Sequence, residues 1–224
     1  MRWLLKVIVG SRAHGLATAE SDIDYRGVFQ HPTSLIVGMG PKQRETLWVE
    51  GDRAAEGTKQ DETGWELGHF LHLALQCNPT ILEVFAAPTA EDPPLEGAAL
   101  RSLFDAAWEP RRVRDAFVGY GLNQRKKFLE DKDARGAKYA TAYLRVLCQA
   151  HHLLTTGMML VDMTRHEEFE RLGKFKRGEF TPGEVIDACY LWQMHVEAVA
   201  LRCQHAANPG LLNTFLVEAR RQYW

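Results

Sequence analysis

The segment VIVGSRAHGLATAESDIDYRGVF, Val7 to Phe29, constrains the chain more than any other. An apolar run stops at Gly10-Ser11, a small and polar stretch follows, and the chain resumes with two aspartates one residue apart. Trp3 to Val9 ends at glycine and reads as a buried strand; Ser11 to Ala19 reads as a short helix or helical turn, and Asp22 to Phe29 as a second strand. Alternation along that strand puts Asp22, Asp24 and Arg26 on one face and Ile23, Tyr25 and Phe29 on the other. The second face is the one expected to pack on a helix.

Two carboxylates on one face repel unless protons or a cation intervene. A hard divalent ion, Mg²⁺ or Mn²⁺, resolves the conflict, and magnesium takes one or two protein carboxylates together with substrate phosphates. A nucleoside triphosphate (NTP) supplies those phosphates. Gly10 and Ser11, at the break between strand and helix, suit them: glycine allows close backbone approach, serine offers a hydroxyl, and a helix start favours anions. On this reading Gly10 and Ser11 hold phosphate while Asp22 and Asp24 hold metal.

Thr46 to Glu50 and Glu56 to Glu62 are expected to add strands. From Trp65 the period becomes helical through Leu67, Phe70, Leu71, Ala74 and Leu75, and Asn78-Pro79 stops the helix. Ile81 to Phe85 is a further apolar stretch, and the proline-rich segment Ala86 to Pro94 is the expected internal boundary. Beyond it the pattern is helical over Leu100 to Ala107, Val113 to Leu129, Lys138 to Thr155, Pro182 to Ala206 and Leu211 to Arg220. The fold class expected is α+β: a small mixed-sheet core over residues 1–92 and a helical domain over 93–224 that completes the cleft.

The 224 residues carry a formal net charge of −2, which argues against a function resting on wholesale neutralisation of nucleic-acid phosphates. Cys77, Cys148, Cys189 and Cys203 show no CxxC spacing and read as buried thiols in helical patterns, which fits a reducing cytoplasm. No apolar run approaches the length of a membrane span, and the N-terminal one has no cleavage site behind it. No membrane association is expected.

GSRAHGLATAESDIDYRGV resembles the signature of the DNA polymerase β-type nucleotidyltransferase superfamily, a Gly-Ser pair followed by Asp-x-Asp. More narrowly, it is similar to the predicted nucleotidyltransferases of the RNA repair pathway polymerase β family. YRGVFQHP, ELGHFLHLALQCNPTILEVFAAP and KYATAYLRVLCQAHHLLTTG extend the similarity over motifs spanning about two thirds of the chain. The resemblance implies a two-metal transfer of a nucleoside monophosphate from an NTP such as ATP to a hydroxyl, with a third carboxylate beside Asp22 and Asp24. Asp61 is the first choice for it and Glu62 the alternative; a helix-start acid is the structural reading of Asp61. Lys138 and Arg145, two turns apart on one helix, are phosphate contacts that the resemblance implies, an exposed basic stripe being the alternative; Arg12 and His14, in the turn after Gly10-Ser11, are candidate triphosphate contacts or else solvated side chains.

RNA, with a tRNA end among the candidates, is the implied acceptor. Adenylylation of a protein or small-molecule hydroxyl is the second hypothesis, and a non-catalytic nucleotide sensor the third. Arg111, Arg112 and Arg114 with Arg125, Lys126 and Lys127 form a basic cluster able to hold a nucleic-acid backbone. His69, His72, His151 and His152 lack a zinc spacing and read as packing or surface residues, while Tyr190 and Trp192 read as core.

Overall fold

The structure is a computed structural model that describes residues 1–19, 21–50, 60–132 and 134–224. It is α+β. Four strands, β1 (Arg2–Val9), β2 (Ile23–Gln30), β3 (Thr46–Glu50) and β4 (Gln60–Glu66), form one sheet in the order β1-β2-β4-β3. β1 and β3 flank the sheet antiparallel to their neighbours, whereas β2 and β4 pair in parallel at its centre.

One sheet face carries Leu5, Val7, Val9, Val28 and Trp65, all buried in the main core, and on the same face lie Asp24, Arg26 and Asp61 by register. This reverses the expected orientation of β2. The helix-covered face is the one with Asp24 and Arg26, and Arg26 is accommodated there because its guanidinium reaches Glu83 of α4 (Pro79–Ala86) at 3.0 Å. The opposite face is a smaller layer in which the Trp3 ring lies over Gly27 and Gly64. A Cβ on either glycine would stand 2.7 or 2.5 Å from that ring, so both must be bare. Phe29 meets Trp3 edge-on, and Lys6 sits over the Tyr25 ring at 4.8 Å.

Strand β4 runs further than expected, through Trp65 and Glu66; its expected start, residues 56–59, lies outside the described residues. Helix α3 (Leu67–Leu75) therefore begins after Trp65, where Glu66 caps it by accepting from the Gly68 amide at 2.8 Å. Asn78-Pro79 does more than end that helix. Asn78 accepts from the Thr80 amide and Pro79 occupies the first turn, so the pair starts α4 and makes Ile81 to Phe85 helical.

The proline-rich segment is stitched to the free edge of β1, through Ile8 N–H to Pro88 O at 2.9 Å and Ala90 N–H to Lys6 O at 3.0 Å. Next come α5 (Leu95–Arg101) and a 3₁₀ turn (Phe104–Ala107), in place of the single helix expected over Leu100 to Ala107. The long helices α6 (Pro110–Glu130) and α7 (Gly136–Thr156) pack on each other, and α8 (Phe169–Lys176) and α9 (Pro182–Ala200) pack on α7. The helical turn expected from Ser11 is α1 (Gly10–Ala13), shorter than expected; α8 is absent from the sequence reading, as is the short α2 (Thr33–Val37). Helix α9 stops at Ala200 instead of Ala206, which leaves Cys203 partly exposed beyond it; Cys77 also lies outside a helix, buried at a positive φ of 54°.

The last helix, α10 (Pro209–Gln222), returns to the sheet. Arg220 forms a two-pronged ion pair with Glu66 at 2.7 and 2.8 Å, and Thr33 N–H donates to Tyr223 O at 2.8 Å. Among the described residues no helix is long and apolar enough to cross a membrane.

Candidate active site

A cleft of about 580 Å³ opens between the carboxyl end of β1, the start of β2, and α7. Gly10, Ser11, Asp22, Asp24 and Asp61 line one wall. The parallel register sets Asp24 directly beside Asp61, so two carboxylates stand on one face of adjacent strands. Glu62, the alternative third carboxylate, alternates to the other face and pairs with Lys6 at 3.0 Å.

Gly10 has a φ of +70°, and a Cβ placed on it would lie 2.3 Å from Asp24 Oδ2. The bare Cα is thus the seat of the Asp24 carboxylate, a more specific reason for glycine than backbone approach to phosphate. Burial pushes the Asp24 carboxyl above its ordinary range; Arg26 and Lys138 oppose that shift, and Asp61 and Asp22 reinforce it. A raised carboxyl stabilises the fold below the ordinary range and loses that contribution as pH rises through its titration. At neutral pH the ionised cluster is therefore a cost. Asp24→Asn is expected to raise the melting midpoint without added cation, while Mg²⁺ raises it in the wild type and not in the variant; an unchanged or lower midpoint for the cation-free variant would contradict this origin.

The opposite wall comes from α7, where Lys138 and Arg145 face the cleft and Ala137, Thr141 and Ala142 leave it room. Arg145 is oriented by Gln149, which accepts from its Nη1 at 2.7 Å and is itself anchored on Leu160 O. Arg135 and Lys176, neither singled out in the sequence, also line the cleft. Lys176 belongs to α8, whose only strong apolar signals are Phe169, Leu172 and Phe175; that sparse stripe is the cue that could have revealed the helix.

Arg12 lies elsewhere. Its guanidinium is directed at the carbonyls of Ser21 (2.8 Å) and Asp22 (3.3 Å), where it holds the loop entering β2 rather than lining the cleft. His14 lines the cleft as a buried side chain whose Nε2 lies 2.5 Å from Glu83 Oε1. Glu83 thereby bridges His14 and Arg26 under the site floor. Sequence reading missed it because it sits within an apolar helix, but a lone acid in such a run is itself the signal.

The remaining candidates are dispersed. The basic residues of α6 occupy opposite ends of a helix, roughly 20 Å apart at 1.5 Å per residue, and do not form one patch. Arg112 is held by Leu75 O and Glu109, Arg114 by Asp115, and Lys127 lies over Tyr139. His151 packs on buried Trp192, whereas Tyr190, expected in the core, is 62% exposed. Among the described residues no three His, Cys, Asp or Glu side chains converge into a ready metal cage. The all-oxygen donor set of Asp22, Asp24 and Asp61, with its crowded negative charge beside Gly10, nonetheless has the chemistry that suits a hard divalent ion.

No curated protein matches the chain. A crystal structure of a nucleotidyltransferase-like protein from Exiguobacterium sibiricum 255-15 is similar at 12% identity and a TM-score of 0.33, over 98% of this chain and 74% of that one. The sequence profile of the RNA repair pathway DNA polymerase beta family matches residues 1–185, which include both walls of the cleft. The chain belongs to the RNA repair pathway DNA polymerase beta family.

Proposed function

We propose that the protein is a template-independent nucleotidyltransferase that moves a nucleoside monophosphate from an NTP to a hydroxyl acceptor, RNA being the first choice. The observation that carries this reading is the pairing of Asp24 with Asp61 beside Gly10-Ser11, across a cleft from Lys138 and Arg145. Anionic phosphates bridging such walls satisfy both, and the family's RNA repair description favours an RNA end as acceptor. In this reading residues 1–92 carry the catalytic groups and 93–224 complete the cleft.

Asp22 and Asp24 hold Mg²⁺ or Mn²⁺, which when bound supplies charge neutralisation at the reacting phosphate. Gly10 and Ser11 hold the β- and γ-phosphates, with Lys138 and Arg145 countering their charge from α7. Asp61 orients the acceptor hydroxyl and takes its proton as the oxygen bonds to the α-phosphorus; the bond from that phosphorus to the bridging oxygen breaks and pyrophosphate leaves. Arg26, two residues along β2 from Asp24, favours its ionised form.

Transfer from each α-³²P-labelled NTP to total RNA and to total protein tests the reading. Label on RNA is expected, falling at least ~10³-fold in Asp22→Ala and Asp24→Ala, as for residues that act as one unit. Label on protein moves the acceptor to the second class, and NTP binding with no label anywhere returns the sensor reading. RNA binding itself should weaken steeply with added salt.

A further inference from the structure

We propose that Lys176 is a ligand for the terminal phosphates of the nucleotide, delivered from α8 to complete the phosphate-holding wall; this rests on the nucleotidyltransferase reading above. Lys176 lines the same cleft as Gly10, Ser11, Lys138 and Arg145. It is half-buried, and its Nζ donates to the carbonyl of Leu16, in the turn that follows Ser11. Among the described residues no carboxylate pairs with it. Burial holds its ammonium below the usual lysine range, with no anion acting to offset that.

A partly desolvated ammonium has three N–H groups to satisfy, and here one is directed at a carbonyl. The remaining donors and the uncompensated charge make the position a seat for an anion. Its place along the cleft gives the part of the nucleotide it meets. Lys138 and Arg145 reach the cleft from α7, whereas Lys176 comes from α8 and is anchored on Leu16, in the turn that follows the Gly10-Ser11 seat proposed for the β- and γ-phosphates. The phosphates farthest from the reacting one fall to Lys176.

The α8 end is also held in register with the turn. Met163 N–H donates to His14 O at 3.2 Å, and Thr164 packs against Gly15, where a Cβ would stand 2.3 Å from Thr164 Cγ2. The segment from Val161 to Lys176 thus grips the turn from His14 to Leu16 on both flanks, and Lys176 is presented by a braced element.

Lys176→Gln keeps a donor for Leu16 O while removing the charge, and Lys176→Arg keeps the charge. Calorimetric titration with ATP, AMP and inorganic tripolyphosphate, in the presence of Mg²⁺, reads the contact. The expected result is a loss of about 10- to 100-fold in affinity for ATP and tripolyphosphate in Lys176→Gln, the usual worth of a hydrogen bond to a charged group, with AMP affinity unchanged and Lys176→Arg close to wild type. Equal ATP affinity in Lys176→Gln and wild type overturns the proposal. A parallel loss of AMP affinity does so too, since it marks collapse of the turn. A wild-type protein that binds no NTP overturns the nucleotidyltransferase reading and this inference together, which separates the two failures.

Discussion

Gly10→Ala is expected to cut nucleotidyl transfer by about 100-fold or more while leaving a cooperatively folded protein, because a displacement near 1 Å in a reacting constellation costs about that factor. The new methyl would stand 2.3 Å from Asp24 Oδ2 and 3.2 Å from its Cγ, so the carboxylate must leave its seat. Its room to move is limited by Asp61 alongside and by the charges of Asp22 and Arg26. The φ of +70° adds a strain for alanine of ~1 kcal/mol. Turnover and urea midpoint measured on the same preparation separate the effects. Full turnover in Gly10→Ala would show that Asp24 is not required where the structure puts it.

The largest loss of stability is expected from Glu83→Ala, about 3–5 kcal/mol by urea unfolding, the range for removing one member of a buried ion pair. Burial alone would raise the Glu83 carboxyl. The hydrogen bond from His14, with the charges of Arg145 and Arg26, outweighs burial and holds it at about 2, against an ordinary 4.5. His14 is lowered, first by burial and then by Arg145, so it stays neutral and donates its Nε2–H to Glu83.

Both folded-state shifts are downward, so both groups favour the fold more as pH rises. His14 starts to withdraw stability as pH falls below 6.5, where the unfolded chain takes up the proton first, and Glu83 withdraws its share between 4.5 and about 2. In Glu83→Gln the lower step should vanish while a carboxamide still fills the space. A Glu83→Ala midpoint within error of wild type would sink this account of the site floor.

How much of this was legible follows from where the information lies along the chain. Gly10, Ser11, Asp22 and Asp24 are local, and a strand break followed by alternating acids is visible in one short window. That Asp61 stands beside Asp24 while Glu62 turns to the other face was not, since it depends on the parallel register of β2 with β4, which no local period records. The buried face of β2 was misread for a related reason. Tyr25 and Phe29 look the more apolar pair, but Arg26 is neutralised by an acid from a distant helix, and hydropathy carries no trace of that partner. Lys176 escaped because α8 is mostly polar and short, so its helical period rests on three residues. Arg12 was misplaced because proximity to Ser11 in sequence said nothing of the direction its guanidinium takes toward Ser21 and Asp22.

The central pairing of β2 with β4 has a bearing on when the chain becomes competent. Every other pairing in the sheet is antiparallel, while Asp24 meets Asp61 only after the whole connection from Gln30 to Gln60 has closed on itself. Closing that loop spends chain entropy before any contact repays it, which makes parallel pairing a late event in folding. Until that loop closes, Asp22 and Asp24 lack the third carboxylate beside them. On the proposed function, nucleotide transfer thus awaits the completed sheet, and the alignment of Asp24 with Asp61 doubles as a certificate of the finished fold.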